Sequence, residues 1–87
     1  MARHHLHLIS DSTGETLDNI AKAAIAQFDG ADIVTHFWPM ARSAGHVDRI
    51  MVDVANNPGL VLFTMVNPDV RALLENRCRS LGLPMVA

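Results

Sequence analysis

Apolar residues recur at every third or fourth position in three segments of the chain, and runs rich in apolar and β-branched residues separate these segments. The helical spacing predicts three amphipathic helices. They lie between Glu15 and Phe28, between Ser43 and Asn56, and between Asn67 and Gly82. The apolar runs predict strands at residues 4–9, 33–38 and 60–66 and a fourth that begins at Pro84. The order βαβαβαβ predicts an open parallel sheet of the α/β class with right-handed crossovers.

Each predicted helix has a defined apolar face and recognisable ends. The first face consists of Leu17, Ile20, Ala21, Ala24, Ile25 and Phe28, with Gly30 as the stop. The second consists of Val47, Ile50, Met51 and Val54, with Ser43 as the N-cap, and Arg49 lies outside this apolar face. The third consists of Val70, Leu73, Leu74, Cys78 and Leu81, with Asn67 as the cap, Pro68 first and Gly82 last. Small polar caps, proline at the first position and a terminal glycine are ordinary helix boundaries.

Residues 10–16 form the turn between the first strand and the first helix, and they combine hydroxyls, a glycine and free backbone amides. Ser12 and Glu15 have capping-box spacing, which predicts a serine bond to the helix and a glutamate bond back to Ser12. The start of a helix also attracts anions. The turn alone therefore leaves two interpretations open, an anion site and a well-capped helix start.

Composition limits the range of functions. Of the 87 residues, 49% are hydrophobic and 18% are charged, which is typical of a globular chain. The formal charge of −2 shows no excess of basic residues of the kind that binds nucleic acid independently of sequence. No apolar run approaches the ~20 residues of a membrane span. The single Cys78 fits a reducing compartment, so the expected location is the cytoplasm. Because the fourth strand has just begun at the last residues, we expect residues 1–87 to be the amino-terminal α/β domain of a longer protein.

Metal binding and cysteine chemistry are not predicted. His5 and His7 would share a strand face, but no acidic or cysteine partner lies near them in the sequence, and no third ligand is evident. Cys78 falls on the apolar stripe of the third helix and is most simply a core residue.

Three loops should meet at the carboxyl edge of the sheet, where open α/β sheets bind ligands. They supply Ser12, Thr13, the Gly14 amide and Arg42, which we predict to bind phosphate; Thr64 and Asn67 lie at the same edge. Two carboxylates, Asp11 and Glu15, oppose an anion there, and only Glu15 has another predicted role. The chain contains no P-loop or dinucleotide-binding glycine motif, and no catalytic residue is identified.

Residues 10–16 resemble the first phosphate loop of flavodoxins, which reads hydroxyl-x-hydroxyl-Thr-Gly-x-Thr. This resemblance implies a flavodoxin-like fold that binds flavin mononucleotide. The later loop at residues 64–67 has no aromatic residue that could stack on the flavin, although Trp38 could do so.

A more extensive resemblance covers nearly the whole chain. Residues 5–16 (HLHLISDSTGET), 38–43 (WPMARS), 57–64 (NPGLVLFT) and 81–84 (LGLP) resemble, in order and spacing, the bacterial regulatory proteins of phosphoenolpyruvate synthase and pyruvate, phosphate dikinase. The resemblance implies a Rossmann-like fold and a bifunctional serine/threonine kinase and phosphorylase. Such enzymes use ADP to phosphorylate a threonine beside the catalytic histidine of the target, and they remove that phosphoryl group with inorganic phosphate, releasing pyrophosphate.

In that family a nucleotide-binding P-loop lies in the carboxyl-terminal half, which this sequence does not contain. The resemblance therefore implies little or no catalysis by the 87 residues alone. It implies phosphoenolpyruvate synthase or pyruvate, phosphate dikinase as the partner and leaves a homodimer open. The predicted contribution of this domain is phosphate binding by Ser12, Thr13, Gly14 and Arg42, or docking of the target.

Overall fold

The structure is a computed structural model that describes residues 4–27 and 32–86. Helices and strands alternate in the order β1 (His4–Ser10), α1 (Glu15–Ile25), β2 (Ile33–Trp38), α2 (Ala44–Asn56), β3 (Gly59–Thr64), α3 (Pro68–Ser80) and β4 (Met85–Val86). All strand pairs are parallel, and the sheet has the order β2-β1-β3-β4. The predicted α/β fold is confirmed, and the strand order fits the predicted Rossmann- or flavodoxin-like class of doubly wound sheets.

The sheet has a hydrophobic core on each face because alternate residues of a strand point in opposite directions. On one face Leu6 and Leu8 of β1 pack with Leu17 and Ala21 of α1. On the other face α2 and α3 pack over Ile9 of β1 and over β3. The second core is the larger one. Its buried members are Ile9, Ala41, Val47, Ile50, Met51, Val54, Val61, Phe63, Met65, Val70, Leu74 and Cys78.

The predicted apolar face of α1 is only partly correct. Leu17 and Ala21 are buried and Ile25 is half-buried, whereas Ile20 is 57% exposed and Ala24 is exposed. The buried positions are four residues apart, so a single row of the helix contacts the sheet and the neighbouring row faces outward. The predicted contributions of Phe28 and Gly30 lie outside the described residues.

The predicted starts of α2 and α3 are confirmed. The Ser43 hydroxyl accepts a hydrogen bond from the His46 amide at 3.2 Å, and the Asn67 side chain accepts from the Asp69 and Val70 amides at 2.9 and 3.3 Å. All four predicted apolar residues of α2 are buried, and Arg49 is exposed. Side-chain acceptors thus satisfy amides that have no partner inside these helices.

The carboxyl end of α3 is a glycine-terminated Schellman motif. Gly82 has φ of +67°, and the amides of Gly82 and Leu83 donate to the carbonyls of Arg79 and Cys78 at 3.0 and 2.9 Å. Leu81 was expected to be buried but is 45% exposed, because it is the C-cap residue beyond the last helical turn.

Of two further predictions from the sequence, that for Val66 is wrong and that for Cys78 is confirmed. Val66 was assigned to the third strand, but the strand ends at Thr64 and Val66 is 89% exposed. Cys78 is buried, as predicted, and burial raises the pKa of its thiol. Among the described residues no helix has the length and apolar character needed to cross a membrane.

Candidate functional site

The strand order places the crevice of the sheet between β1 and β3. The chain leaves β1 toward one side, to β2, and returns to the other side at β3, which makes their carboxyl ends the switch point of the sheet. Ser10 and Thr64, the last residues of these strands, are register partners. The Thr64 hydroxyl donates a hydrogen bond to the buried Ser10 hydroxyl at 3.2 Å. Two of the three loops predicted to share an edge therefore join at this point.

A polar cavity of about 120 Å³ opens beside Thr64. Its lining residues are Ser12, Thr13, Gly14, Glu15, Thr16, Leu17 and Thr64. Three of the four residues predicted to bind phosphate, Ser12, Thr13 and Gly14, thus lie around one cavity. Hydroxyl groups dominate its wall, and the Glu15 side chain is the acidic group beside it.

The predicted capping box is wrong. Helix α1 begins at Glu15, its N-cap is Gly14 with φ of +76°, and no side chain among the described residues caps it. Ser12 instead bonds to Ser10, with its amide 3.1 Å and its hydroxyl 3.2 Å from the Ser10 hydroxyl. The left-handed glycine displaces Ser12 from the capping position. The first amides of α1 therefore border the cavity without a side-chain acceptor, which is the arrangement that suits an anion.

Arg42 lies beside this cavity rather than in its wall. Its Nε donates to the carbonyl of Asp11 at 2.8 Å, and it lines a neighbouring cavity of about 330 Å³ with Asp11, Val66 and Asn67. No carboxylate of the described residues forms an ion pair with it. One edge of the guanidinium is therefore fixed by the backbone, and the other edge is available for a planar or tetrahedral anion.

Asp11, which had no predicted role, joins two loops of the site. Its carboxylate accepts hydrogen bonds from the amides of Val66 and Asn67, at 2.6 and 3.3 Å. These contacts hold the loop after β3 against the loop after β1 and occupy the carboxylate oxygen with backbone donors. The sequence offered no local signal for this role because the partners are 55 and 56 residues away.

Replacing Asp11 should loosen the loop after β3. We expect Asp11→Ala to lower the free energy of unfolding by about 1–2 kcal/mol, because two amides lose a charged acceptor. Hydrogen exchange at Val66 and Asn67 should become faster. Asp18→Asn is the control, since it removes a carboxylate of the first turn of α1, paired with the exposed Lys22 and worth about 1 kcal/mol, that contacts neither amide. Unchanged exchange at both amides in Asp11→Ala would contradict this role.

The loop after β2 holds the loop after β1 by its backbone. The amides of Met40 and Ala41 donate to the carbonyls of Ser12 and Ser10, at 2.9 and 2.8 Å. Met40 has φ of +60°, a conformation uncommon outside glycine. Sequence reasoning missed Met40 and Ser10 as organisers of the site. Only their positions, Ser10 at the end of β1 and Met40 just after the adjacent β2, could have indicated this role.

Three histidines pack together on the α2/α3 face of the sheet, away from the cavity. The His5 and His36 rings are 3.0 Å apart at Nδ1 and Nε2, and the His7 and His36 rings stack with centroids 4.5 Å apart. Across residues 4–27 and 32–86, no group of three or more His, Cys, Asp or Glu side chains is arranged to hold a metal ion.

Comparison with known proteins identifies the family. A profile described as kinase/pyrophosphorylase matches residues 6–87, which is almost the whole chain. The chain belongs to the kinase/pyrophosphorylase family. The matched region begins in β1 and contains every residue of the polar cavity.

Relatives in this kinase/pyrophosphorylase family carry a more specific, provisional name, pyruvate, phosphate dikinase regulatory protein. The protein of Novosphingobium aromaticivorans is 69% identical over the whole chain, which covers 31% of that relative. Those of Rhizorhabdus wittichii and Rhodospirillum rubrum are 63% and 44% identical over the whole chain, which covers 32% of each. The chain therefore spans about a third of the length of these relatives.

Proposed function

We propose that this chain is the amino-terminal domain of a bifunctional regulatory enzyme and that its polar cavity binds phosphate. The full enzyme would phosphorylate a threonine of pyruvate, phosphate dikinase or phosphoenolpyruvate synthase with ADP. It would remove the phosphoryl group with inorganic phosphate and release pyrophosphate. The family match and the names of the relatives support a kinase-type regulatory protein. A cytoplasmic location stays a prediction.

The observation that carries the phosphate proposal is the uncapped start of α1 beside a cavity lined by hydroxyls. Backbone amides at a helix start are partly positive, and hydroxyls donate to anionic oxygens. Ser12, Thr13 and the amide of Gly14 would contact the anion. Arg42 would approach from the neighbouring cavity with the edge that Asp11 leaves free. Glu15 would have to turn its exposed carboxylate away.

The chain spans about a third of the length of its relatives, and we propose that the full enzyme divides its activities between this part and the rest. A P-loop for ADP would lie in the part of the relatives that this chain does not span. The 87 residues would then supply phosphate binding, target docking or both, with little catalysis of their own. If the cavity binds no anion, the same surface would act as a docking module for the target enzyme.

A thermal-shift titration tests the proposal directly. We expect phosphate or pyrophosphate to raise the melting temperature of the chain, because a ligand that binds only the folded state stabilises it. Ser12→Ala combined with Thr13→Ala should abolish this shift. Ser80→Ala, at an exposed position at the end of α3, should preserve it. ADP should cause no comparable shift in the 87-residue chain.

The second candidate, a domain that binds flavin mononucleotide, rests on the flavodoxin-like loop at residues 10–16. The aromatic residue that it would need, Trp38, is half-buried and packs against the core on the α2/α3 face. That placement disfavours stacking on a flavin. A thermal shift with flavin mononucleotide and none with phosphate or pyrophosphate would favour this candidate and reject the phosphate proposal.

A further inference from the structure

The face of the sheet that carries Leu6 and Leu8, which we call the α1 face, has a single helix over it in the part of the chain that the structure describes. Helices α2 and α3 both pack on the opposite face. The chain crosses from β2 to β3 and from β3 to β4 in one direction, and right-handed connections place both of these helices on one side. The connection from β1 to β2 runs in the other direction, so α1 lies on the α1 face alone.

Strands β3 and β4 present apolar residues to the α1 face beside this single helix. Leu60 and Leu62 are the register partners of Leu6 and Leu8, so they share this face, and both are only half-buried. Val86 of β4 is the register partner of Leu62 and is 53% exposed. Parallel sheets in proteins are covered on both faces. The apolar strip of Leu60, Leu62 and Val86 therefore lacks the full cover that such a sheet normally has.

One row of α1 runs along this apolar strip. Thr16, Ile20 and Ala24 are four residues apart and lie on one side of the helix. Thr16 lines the polar cavity together with Thr64 of β3, and Ala24 lines an apolar cavity of about 340 Å³ together with the two leucines of the strip. Both ends of the row are thus on the β3 side of α1, and Ile20, which is 57% exposed, lies between them. The residues of α1 that were predicted to be buried and are exposed, Ile20 and Ala24, belong to this row.

The row of α1 and the apolar strip form two sides of an open groove, which runs from the apolar cavity to the polar cavity. Packed helices lie about 9 Å apart. Neighbouring strands are about 4.8 Å apart, so a second helix beside α1 would lie about two strands from β1. Helix α1 packs on Leu6 and Leu8 of β1, and the second strand from β1 on this side is β4. The groove therefore has the width for one further helix over β3 and β4.

We propose that this groove is the docking site of an amphipathic helix from the rest of the full-length enzyme, in the segment that follows residue 87. The inference rests on the proposed function, in which this chain is the amino-terminal domain of a longer enzyme. The relatives have the necessary length, since the chain covers 31% and 32% of two of them. A chain that continues from β4 leaves the sheet beside Val86, at one side of the groove. The docked helix would cover Ile20 and would close the polar cavity on the side of Thr16.

Site-specific photocrosslinking in the full-length enzyme identifies the occupant of the groove. We expect p-benzoylphenylalanine in place of Ala24 to crosslink within its own chain to one segment beyond residue 87, which mass spectrometry locates. The same substitution at Ala23, an exposed residue in a different row of α1, is the matched control and should give no such product. Crosslinks from position 24 to a second copy of the enzyme, or equal yields at both positions, would overturn the proposal.

A charge placed in the groove provides a second test. In the full-length enzyme we expect Ala24→Glu to lower the melting temperature by about 6 °C or more, because docking would bury an unpaired carboxylate, and Ala23→Glu to change it by about 2 °C or less. In the 87-residue chain, where both positions are exposed, each variant should change it by about 4 °C or less. Equal effects of the two variants in the full-length enzyme would overturn the proposal.

The docking proposal and the phosphate proposal can fail separately. A crosslink from position 24 to a segment beyond residue 87, without a phosphate-induced thermal shift, would support the docking groove and reject phosphate binding. A phosphate-induced thermal shift without that crosslink would support phosphate binding and reject the docking groove.

Discussion

Gly59→Ala should be the most destabilising alanine substitution among the four glycines that the structure describes. Gly59 is the first residue of β3 and the register partner of His5. A Cβ at Gly59 would overlap the carbonyl oxygen of His5 and would lie 2.7 Å from its carbonyl carbon. Both atoms belong to the backbone of the central strand β1, so no rotamer change can relieve the clash. We expect a loss of about 3 kcal/mol or more in the free energy of unfolding.

Urea denaturation with circular dichroism measures this loss, and Gly45→Ala provides the control. The nearest atom to a Cβ at Gly45 in α2 is the terminal nitrogen of Arg49, at 4.0 Å. Alanine also favours a helix over glycine, so Gly45→Ala should be unchanged or more stable by up to about 1 kcal/mol. A Gly59→Ala protein within about 1 kcal/mol of the unsubstituted chain would contradict the close strand approach, since overpacking ordinarily costs more.

Gly14→Ala should damage both stability and the polar cavity. Gly14 has φ of +76°, which costs a residue with a side chain about 1–2 kcal/mol. A Cβ there would also lie 2.7 Å from two ring atoms of Phe37, so the ring must move. We expect a total loss of about 2–3 kcal/mol, the backbone cost plus about 1 kcal/mol of overpacking because the exposed Phe37 ring can shift, together with loss of any phosphate-induced thermal shift.

Two further variants separate the cost of the positive φ at Gly14 from the cost of the clash with Phe37. Gly82 has a similar φ of +67° but nothing within 4 Å of its Cβ position, so Gly82→Ala should cost only the backbone part, about 1–2 kcal/mol. In a Phe37→Ala background the cost of Gly14→Ala should fall to that same value, because neighbouring residues are not additive. Equal costs for Gly14→Ala in both backgrounds would show that Phe37 does not restrict this position.

The edge of the sheet shows how a local pattern can predict the right loop and the wrong contacts. Ser12, Thr13 and Gly14 were predicted from chemistry and do lie around one cavity. The serine and glutamate spacing predicted a capping box, but Gly14 takes the N-cap position in the left-handed conformation. Two features outside residues 12–15 account for the difference: the Ser10 hydroxyl accepts from the Ser12 amide, and the Phe37 ring of β2 lies where a Cβ at position 14 would be.

Asp11 is the clearest case of a residue that needs the fold for its explanation. In the sequence it is a carboxylate beside a predicted anion site and counts against it. In the structure the same carboxylate accepts two amides from the loop after β3, and its carbonyl accepts from Arg42. Parallel strands create this proximity because the carboxyl ends of β1 and β3 lie side by side.

The sequence by itself determined the α/β class, the order of elements, the caps of α2 and α3 and the loops that reach the carboxyl edge. These features depend on local periodicity and on hydrogen bonds between near neighbours, which the order of residues encodes directly. Only the tertiary structure decided the strand order, the single buried row of α1, the role of Asp11 and the packing of His7 against His36. Each of these depends on contacts between segments far apart in the chain, and such contacts exist only once the sheet has assembled.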